Sequence, residues 1–178
     1  GIDPQVTLIQ FNTLPPSLET LKKAKNMGYK IIFKVPVSNK QTPQGGFAVW
    51  KGEEVEDVSN GRPFNLIGQV YDRREPIDYV MFDPSHGTNL DLNLDEESLA
   101  IQFGKVFTLD VELSQANMGL VYAGGIKPSN VRYVVKTLNS FFPNEFSIDT
   151  ESGVRTNNQL NLDLVKDYLV GYRDEIAC

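Results

Sequence analysis

One cysteine and one histidine in 178 residues leave little room for thiol, metal or imidazole chemistry. Cys178 is the final residue, with no partner for an intrachain disulfide and no second thiol to help hold zinc. A reducing, cytoplasmic setting is therefore expected, with no metal and no cofactor. His86 follows Asp83 by three positions and adjoins Ser85. Three would-be triad members within four consecutive positions cannot converge on one reacting atom, so a Ser-His-Asp hydrolase is not expected. His86 reads instead as a loop residue within reach of a ligand. No apolar run approaches the roughly 20 residues of a membrane helix, and no membrane partner is expected. Positive charge is also short: 17 Lys and Arg against 23 Asp and Glu give a net charge of −6. The basic residues are scattered rather than striped, so nucleic acid is not expected either, and an anionic ligand needs a local site. The opening Gly1-Ile2-Asp3-Pro4 lacks an initiator Met and the basic and apolar regions of a secretory signal. It reads as the start of a chain cut or processed upstream.

What is present is alternation. Val6 to Phe11 is a short apolar run suited to a strand covered on both faces. Leu18, Leu21 and Ala24 then recur at helical spacing within Ser17 to Met27, with Gly28 placed as a C-cap. Lys30 to Val35 is the next strand, stopped by Pro36. Residues 37–62 break the rhythm with glycines, Pro43 and an acidic patch at Glu53, Glu54, Glu56 and Asp57. They read as an insertion holding a short hairpin around 46–50, or as a lid. A helix is expected over Phe64 to Arg73, a strand over Tyr79 to Phe82, and a helical stretch from about Asp95 to Gln115 with a break near Gly104. Leu120 to Ala123 is a strand, Pro128 to Phe142 a helix with Val131, Val134, Val135, Leu138 and Phe142 on one face, and Phe146 to Ile148 the last strand. A final helix carries Leu162, Val165, Tyr168 and Leu169. Strands alternating with helices predict a parallel α/β sheet in one domain over residues 1–178, with six strands if the candidate at 46–50 is counted.

In such folds the ligand sits at the carboxyl ends of the strands, so the residues just past each strand carry the functional expectation. They are Asn12, Lys34, Asp83, Gly124-Gly125, and Asp149 with Ser152-Gly153. Gly124-Gly125-Ile126-Lys127-Pro128 leads from a strand into a helix, and glycines there let backbone N–H groups approach an anion. An isolated Gly pair is commonly only a turn, but Ser152-Gly153 repeats the chemistry in the next loop. A phosphorylated small molecule is the expected partner. Asp83, held beside apolar walls at a strand end, is expected to have a raised pKa suited to general acid catalysis. A turn-capping role beside Pro84 is the alternative, and Asp149 has the same ambiguity.

These segments resemble phosphoribosylanthranilate isomerase, the tryptophan-pathway enzyme that rearranges an aminoaldose phosphate to an aminoketose. Val6 to Asn12 (VTLIQFN) looks like that family's third strand and Ile31 to Lys34 (IIFK) its fourth. Val80 to Asp83 (VMFD) falls where the family strand ends in its general acid. Ala123 to Val131 (AGGIKPSNV) and Ile148 to Val154 (IDTESGV) are similar to its two phosphate loops. The resemblance implies a (β/α)8-type barrel with Asp83 as general acid. It further implies that Asn12, Lys34, His86 and Asp149 meet the substrate, and that Gly124, Gly125, Ser152 and Gly153 cradle the phosphate. The chain departs from the family in four ways. Nothing here corresponds to its first two βα units, which carry its cysteine base; the family's Gly-rich loop after the general acid is reduced to His86-Gly87-Thr88; Glu151 stands where a serine is usual; and Asn12 replaces a histidine.

Three expectations follow: an aldose–ketose isomerase, a non-catalytic binder of phosphorylated ligands, or another phosphosugar isomerase or lyase on the same barrel. Without the first two units the barrel cannot close, so an N-terminal segment or a partner chain is expected to complete it.

Overall fold

The computed structural model describes residues 7–11, 16–35, 37–41, 47–51, 54–57, 63–85 and 91–176. Asn12, His86, Pro43, the Gly45-Gly46 and Asn60-Gly61 turns, Glu53 and Cys178 lie outside the described residues. In chain order the elements are β1 (Leu8–Gln10), α1 (Leu18–Asn26), β2 (Lys30–Val35), β3 (Val37–Gln41), β4 (Phe47–Lys51) and β5 (Glu54–Asp57). There follow α2 (Pro63–Tyr71), β6 (Tyr79–Phe82), α3 (Leu99–Leu109), α4 (Val111–Gln115), β7 (Gly119–Tyr122), α5 (Val131–Phe141) and β8 (Phe146–Ile148). A 3-10 turn at Ser152–Val154, β9 (Arg155–Thr156), β10 (Gln159–Leu160) and α6 (Leu162–Ile176) complete the chain.

The main sheet has five strands in the order β1-β2-β6-β7-β8, every neighbouring pair parallel. Each new sheet strand is laid beside the previous one, as in the wall of a (β/α) barrel, whereas a doubly wound sheet reverses its order part-way. Among the described residues the wall does not close; β1 and β8 are its edges. Strand periodicity divides its side chains between two faces. Ile31, Phe33, Val35, Val80, Phe82, Leu120 and Tyr122 join the helices in the main core, while Ile32, Met81, Val121 and Ala123 form a separate cluster on the other face. The register aligns Gln10 with Ile32, Lys34 with Met81, Met81 with Val121, and Val121 with Ser147. Two residues further along β6 and β8, this inner face reaches Asp83 and Asp149. The polar strand-end residues thus share one side of the wall at its carboxyl end.

Two expectations need correction. The helical stretch does not break at Gly104: α3 starts after its N-cap Ser98 and runs to Leu109. A side chain at Gly104 would strike the Tyr122 hydroxyl and the Phe142 ring, so this glycine lets α3 lie close on β7. The interruption falls at Asp110, whose backbone is extended (φ −76°, ψ 115°) and whose Oδ1 accepts the Glu112 and Leu113 N–H groups, each at 3.0 Å. An N-cap, and not a weak helix former, separates α3 from α4. The candidate strand at 46–50 forms, as β4, but outside the parallel wall: β3, β4 and β5 make a separate three-stranded antiparallel sheet. Their connections are too short for the crossover that parallel pairing requires. This small sheet occupies the link between β2 and α2, so it is inserted where the wall presents strand ends.

The β9–β10 hairpin goes beyond the expectations. Asn157 and Asn158 (φ 51° and 62°) form its two-residue loop, and asparagine tolerates the left-handed conformation that the tightest hairpin turns demand. On α6, Tyr168 is buried, and its hydroxyl is the one buried side-chain polar atom among the described residues without a hydrogen-bond partner. Because an orphaned buried hydroxyl is costly, Tyr168→Phe is expected to stabilise the protein by about 1 kcal/mol. Thermal unfolding should then show a Tm higher by roughly 2–4 °C; a lower Tm would reveal a partner for the hydroxyl.

Candidate active site

The carboxyl ends of the five wall strands frame one cleft of about 240 Å³, lined among others by Gln10, Lys34, Asp83, Gly125, Asp149 and Ser152. Its central feature is a buried ion pair: Lys34 Nζ lies 2.5 Å from Asp83 Oδ2. The other Asp83 oxygen accepts the Ser85 N–H at 2.9 Å and the Ser85 hydroxyl at 2.6 Å. Burial alone would push this carboxyl up, but the Lys34 ammonium and the two Ser85 donors outweigh it and hold Asp83 below the ordinary aspartate value. The expected raised pKa of Asp83 is therefore overturned, because the ammonium of Lys34, next to last in β2, lies directly against it. The raised carboxyl is Asp149. Burial is the main cause, the charges of Asp83 and Glu151 add to it, and Lys34 offsets only part.

The second feature is a pair of tied loops. Gly124 and Gly125 take positive φ (121° and 60°), which suits residues without a Cβ. Asn130 fastens the turn that follows: its Oδ1 accepts the Lys127 N–H at 2.8 Å and its Nδ2 donates to the Gly125 carbonyl at 3.1 Å. The helix expected from Pro128 consequently starts at Val131, after a turn. The Thr150 hydroxyl donates to the Ile126 carbonyl at 2.6 Å and joins the two loops. Gly153 sits at the same seam, where a Cβ would meet the Ile126 carbonyl oxygen and Thr150 Oγ1. The Gly124, Gly125 and Ile126 N–H groups donate to no described residue, and Ser152 and Gly153 open a helical turn, where N–H groups lack intrahelical acceptors. Glu151 also lines the cleft, but it is exposed and lies 3.4 Å from the Arg155 guanidinium, which draws its charge aside.

Of the residues expected from sequence, Lys34, Asp83, Gly124, Gly125, Asp149 and Ser152 line this cleft and Gly153 supports it from behind. Asn12 and His86 lie outside the described residues. Sequence reasoning missed Gln10, Ser85 and Thr150. Gln10 was findable as the last inner-face position of β1, and Ser85 as the residue two after Asp83, where a short carboxylate commonly accepts local donors.

The chain matches no protein-family model and no curated protein. Among solved structures it is similar to a phosphoribosylanthranilate isomerase from Thermotoga maritima, solved as monomers generated from a dimeric enzyme. The identity is 16% and the TM-score 0.54, over 96% of this chain and 62% of that one. It is also similar to N-(5'-phosphoribosyl)anthranilate isomerase from Pyrococcus furiosus, at 18% identity and TM-score 0.47, over 94% of this chain and 61% of that one. The chain thus spans about three-fifths of the length of these structures. The first likeness shows a shared fold, the parallel (β/α) barrel architecture of that isomerase.

Proposed function

We propose that this chain is an isomerase of a phosphorylated aminosugar, acting on N-(5'-phosphoribosyl)anthranilate or a close relative in tryptophan biosynthesis. The observation that carries the reading is the juxtaposition at one cleft of backbone N–H groups on two tied loops, which donate to no described residue, and an amine–carboxyl cluster formed by Lys34, Asp83 and Asp149. The N–H groups of Gly124, Gly125, Ser152 and Gly153 suit a phosphate, since backbone donors at loop and helix starts favour an anion. The carboxyls and the amine then face the sugar carbons, where an aldose–ketose rearrangement moves protons. The rearrangement is internal to the substrate and calls for no cofactor. A cytoplasmic location suits such a metabolite enzyme, and no described helix is long and apolar enough to cross a membrane. Among the described residues β1 and β8 are the edge strands of the wall, where a closed barrel would continue. In our reading they take up further strands, from the same polypeptide or a partner chain, and size-exclusion chromatography with mass measurement of the natural protein would reveal either.

The test is turnover: the purified protein is mixed with the aminoaldose phosphate, and the aminoketose is separated and quantified. Product formation above the uncatalysed rate supports the proposal. Tight phosphate binding without conversion would favour the second reading, a non-catalytic binder of phosphorylated ligands. That reading draws support from the saturation of Asp83 by Lys34 and Ser85. Conversion of a different phosphosugar would redirect the assignment to another isomerase or lyase on this barrel.

A further inference from the structure

We infer that Lys34 is a counter-ion shared between Asp83 and a carboxylate of the ligand, so that binding brings a proton onto Asp83; the inference rests on the isomerase reading above and names the part of the substrate that β2 meets. Lys34 is the one cation among the described residues that line the cleft. An ammonium has three N–H donors, and among the described residues Asp83 Oδ2 is the one acceptor it meets. Two donors of a buried charge are left for the cleft, an arrangement that calls for a second acceptor.

The phosphate is not that acceptor. Its seat is formed by backbone N–H groups on the loops after β7 and β8, whereas Lys34 enters from β2, with β6 between. Neighbouring strands lie about 4.8 Å apart, so the seat and the root of the lysine are on different sides of the cleft. A ligand that fills both sides carries a phosphate and, some way along, a second anionic group. N-(5'-phosphoribosyl)anthranilate carries a carboxylate. A carboxylate can accept from both remaining donors at once, which gives it more of the ammonium than Asp83 holds.

The arrival of that carboxylate changes what Asp83 can hold. The groups facing Asp83 are Lys34 from β2, Ser85 from its own loop and Asp149 from beyond the end of β8. In the free protein burial is the largest influence on Asp83 and favours its neutral form, and Lys34 and Ser85 together outweigh it. With the ligand in place, two carboxylates share one buried ammonium and Asp149 stands beside them. Like charges so close do not both stay ionised, and one takes a proton. The ligand keeps two ammonium donors and Asp83 one, so Asp83 is the group that gives way. The proton comes from solvent and ends on the Asp83 carboxyl; no covalent bond of the ligand is made or broken in this step, and Lys34 stays charged throughout. The resting cleft thus keeps Asp83 without a proton to give, and a ligand bearing the carboxylate supplies the condition for it to hold one. This accounts for an ion-paired carboxyl at the position where the resemblance places a general acid.

The test follows the Asp83 carboxyl by 13C NMR against pH on the full chain. Inorganic phosphate fills the cradle throughout, and the protein is titrated alone, with anthranilate and with aniline, two probes that share a ring and differ in the carboxylate. Alone, Asp83 should titrate below the ordinary aspartate value of 3.8. With anthranilate its transition should rise above that value, and with aniline it should stay where it was. An Asp83 transition unmoved by bound anthranilate, one moved equally by aniline, or failure of anthranilate to bind up to its solubility limit would each overturn the inference. Lys34→Met should weaken anthranilate binding by about tenfold or more, the worth of at least one charge-assisted hydrogen bond, and leave phosphate affinity little changed. Where loss of the ammonium unfolds that variant, Lys34→Met/Asp83→Asn removes both charges and allows the same comparison. An equal loss of both ligands would mark Lys34 as merely structural and count against the assignment. Turnover separates the two readings. Absence of conversion, with Asp83 still raised by anthranilate, would sink the isomerase reading and sustain Lys34 as the carboxylate seat of a binding cleft; conversion with Asp83 unmoved would do the reverse.

Discussion

Lys34→Met is expected to destabilise the protein by about 3–5 kcal/mol at neutral pH, the usual cost of breaking a buried ion pair by removing one partner. Methionine keeps the length and apolar stem of lysine, so the loss reports the stranded charge of Asp83 and not a cavity. Lys34 and Asp83 are each less than a tenth exposed, which leaves solvent little part in compensating either charge. The pH dependence carries a definite sign. In the wild type Asp83 is depressed, so its contribution is present above the ordinary aspartate value of 3.8 and is lost as pH falls through its still lower folded value. In the variant the same carboxyl keeps its burial but loses its ammonium, and its folded pKa moves above the ordinary value. Its penalty then grows as pH rises through that value and fades on acidification. The stability gap between the two proteins should accordingly be widest at pH 7 and narrow toward pH 4. Urea denaturation at several pH values measures it, and a gap independent of pH would show that Asp83 is not the group left stranded.

Asp149 has the opposite sign. Its folded pKa is raised, so it contributes fully below the ordinary aspartate value of 3.8 and that contribution is lost as pH rises through the folded value. The cleft therefore holds one carboxyl that favours neutral pH and one that resists it. Such opposed demands are tolerated at functional sites, where local stability is exchanged for chemistry.

The strands of the parallel wall were legible because each is an apolar run closed by turn residues: KIIFKV before Pro36, YVMF before Asp83-Pro84, LVYA before Gly124-Gly125. The rule that ligands collect at strand ends then led directly from those runs to Lys34, Asp83 and Asp149. What could not be read was how the side chains meet. Lys34 and Asp83 lie 49 positions apart, and nothing local shows that two adjacent parallel strands bring them into contact. The pKa of Asp83 was misjudged for that reason: burial was visible in the flanking apolar residues, the cation was not. Gly104 misled in a related way. Within a single helix a glycine looks like a weak point, and only the packed Tyr122 and Phe142 rings show that it is a point of close approach. The insertion at 37–62 was recognised from its glycines and acidic residues, but β3, β4 and β5 pair with one another through connections whose length favours antiparallel return, and the sequence reading placed only a hairpin there.

Gly125→Val is expected to abolish phosphate binding, lowering affinity by more than about tenfold, since one lost charge-assisted hydrogen bond is worth roughly 1.5–3 kcal/mol and a Cβ here would obstruct several donors together. Gly125 has φ 60°, in the left-handed region, where a β-branched residue is strained. Relaxing the strain would turn the peptide and re-aim the neighbouring N–H groups. Gly153→Ala tests the opposite side of the cradle by a different route. Its new methyl would press on the Ile126 carbonyl oxygen and on Thr150 Oγ1, the groups whose hydrogen bond joins the two loops. Overpacking of this kind costs about 1–3 kcal/mol. Gly153→Ala should therefore lower both stability and phosphate affinity, whereas Gly125→Val should lose affinity well beyond what its loss of stability explains. Isothermal titration with inorganic phosphate, beside urea denaturation of each variant, separates the two effects. If Gly125→Val folds and binds phosphate as the wild type does, the anion does not use the Gly124-Gly125 turn, and the cradle must be sought elsewhere on the wall.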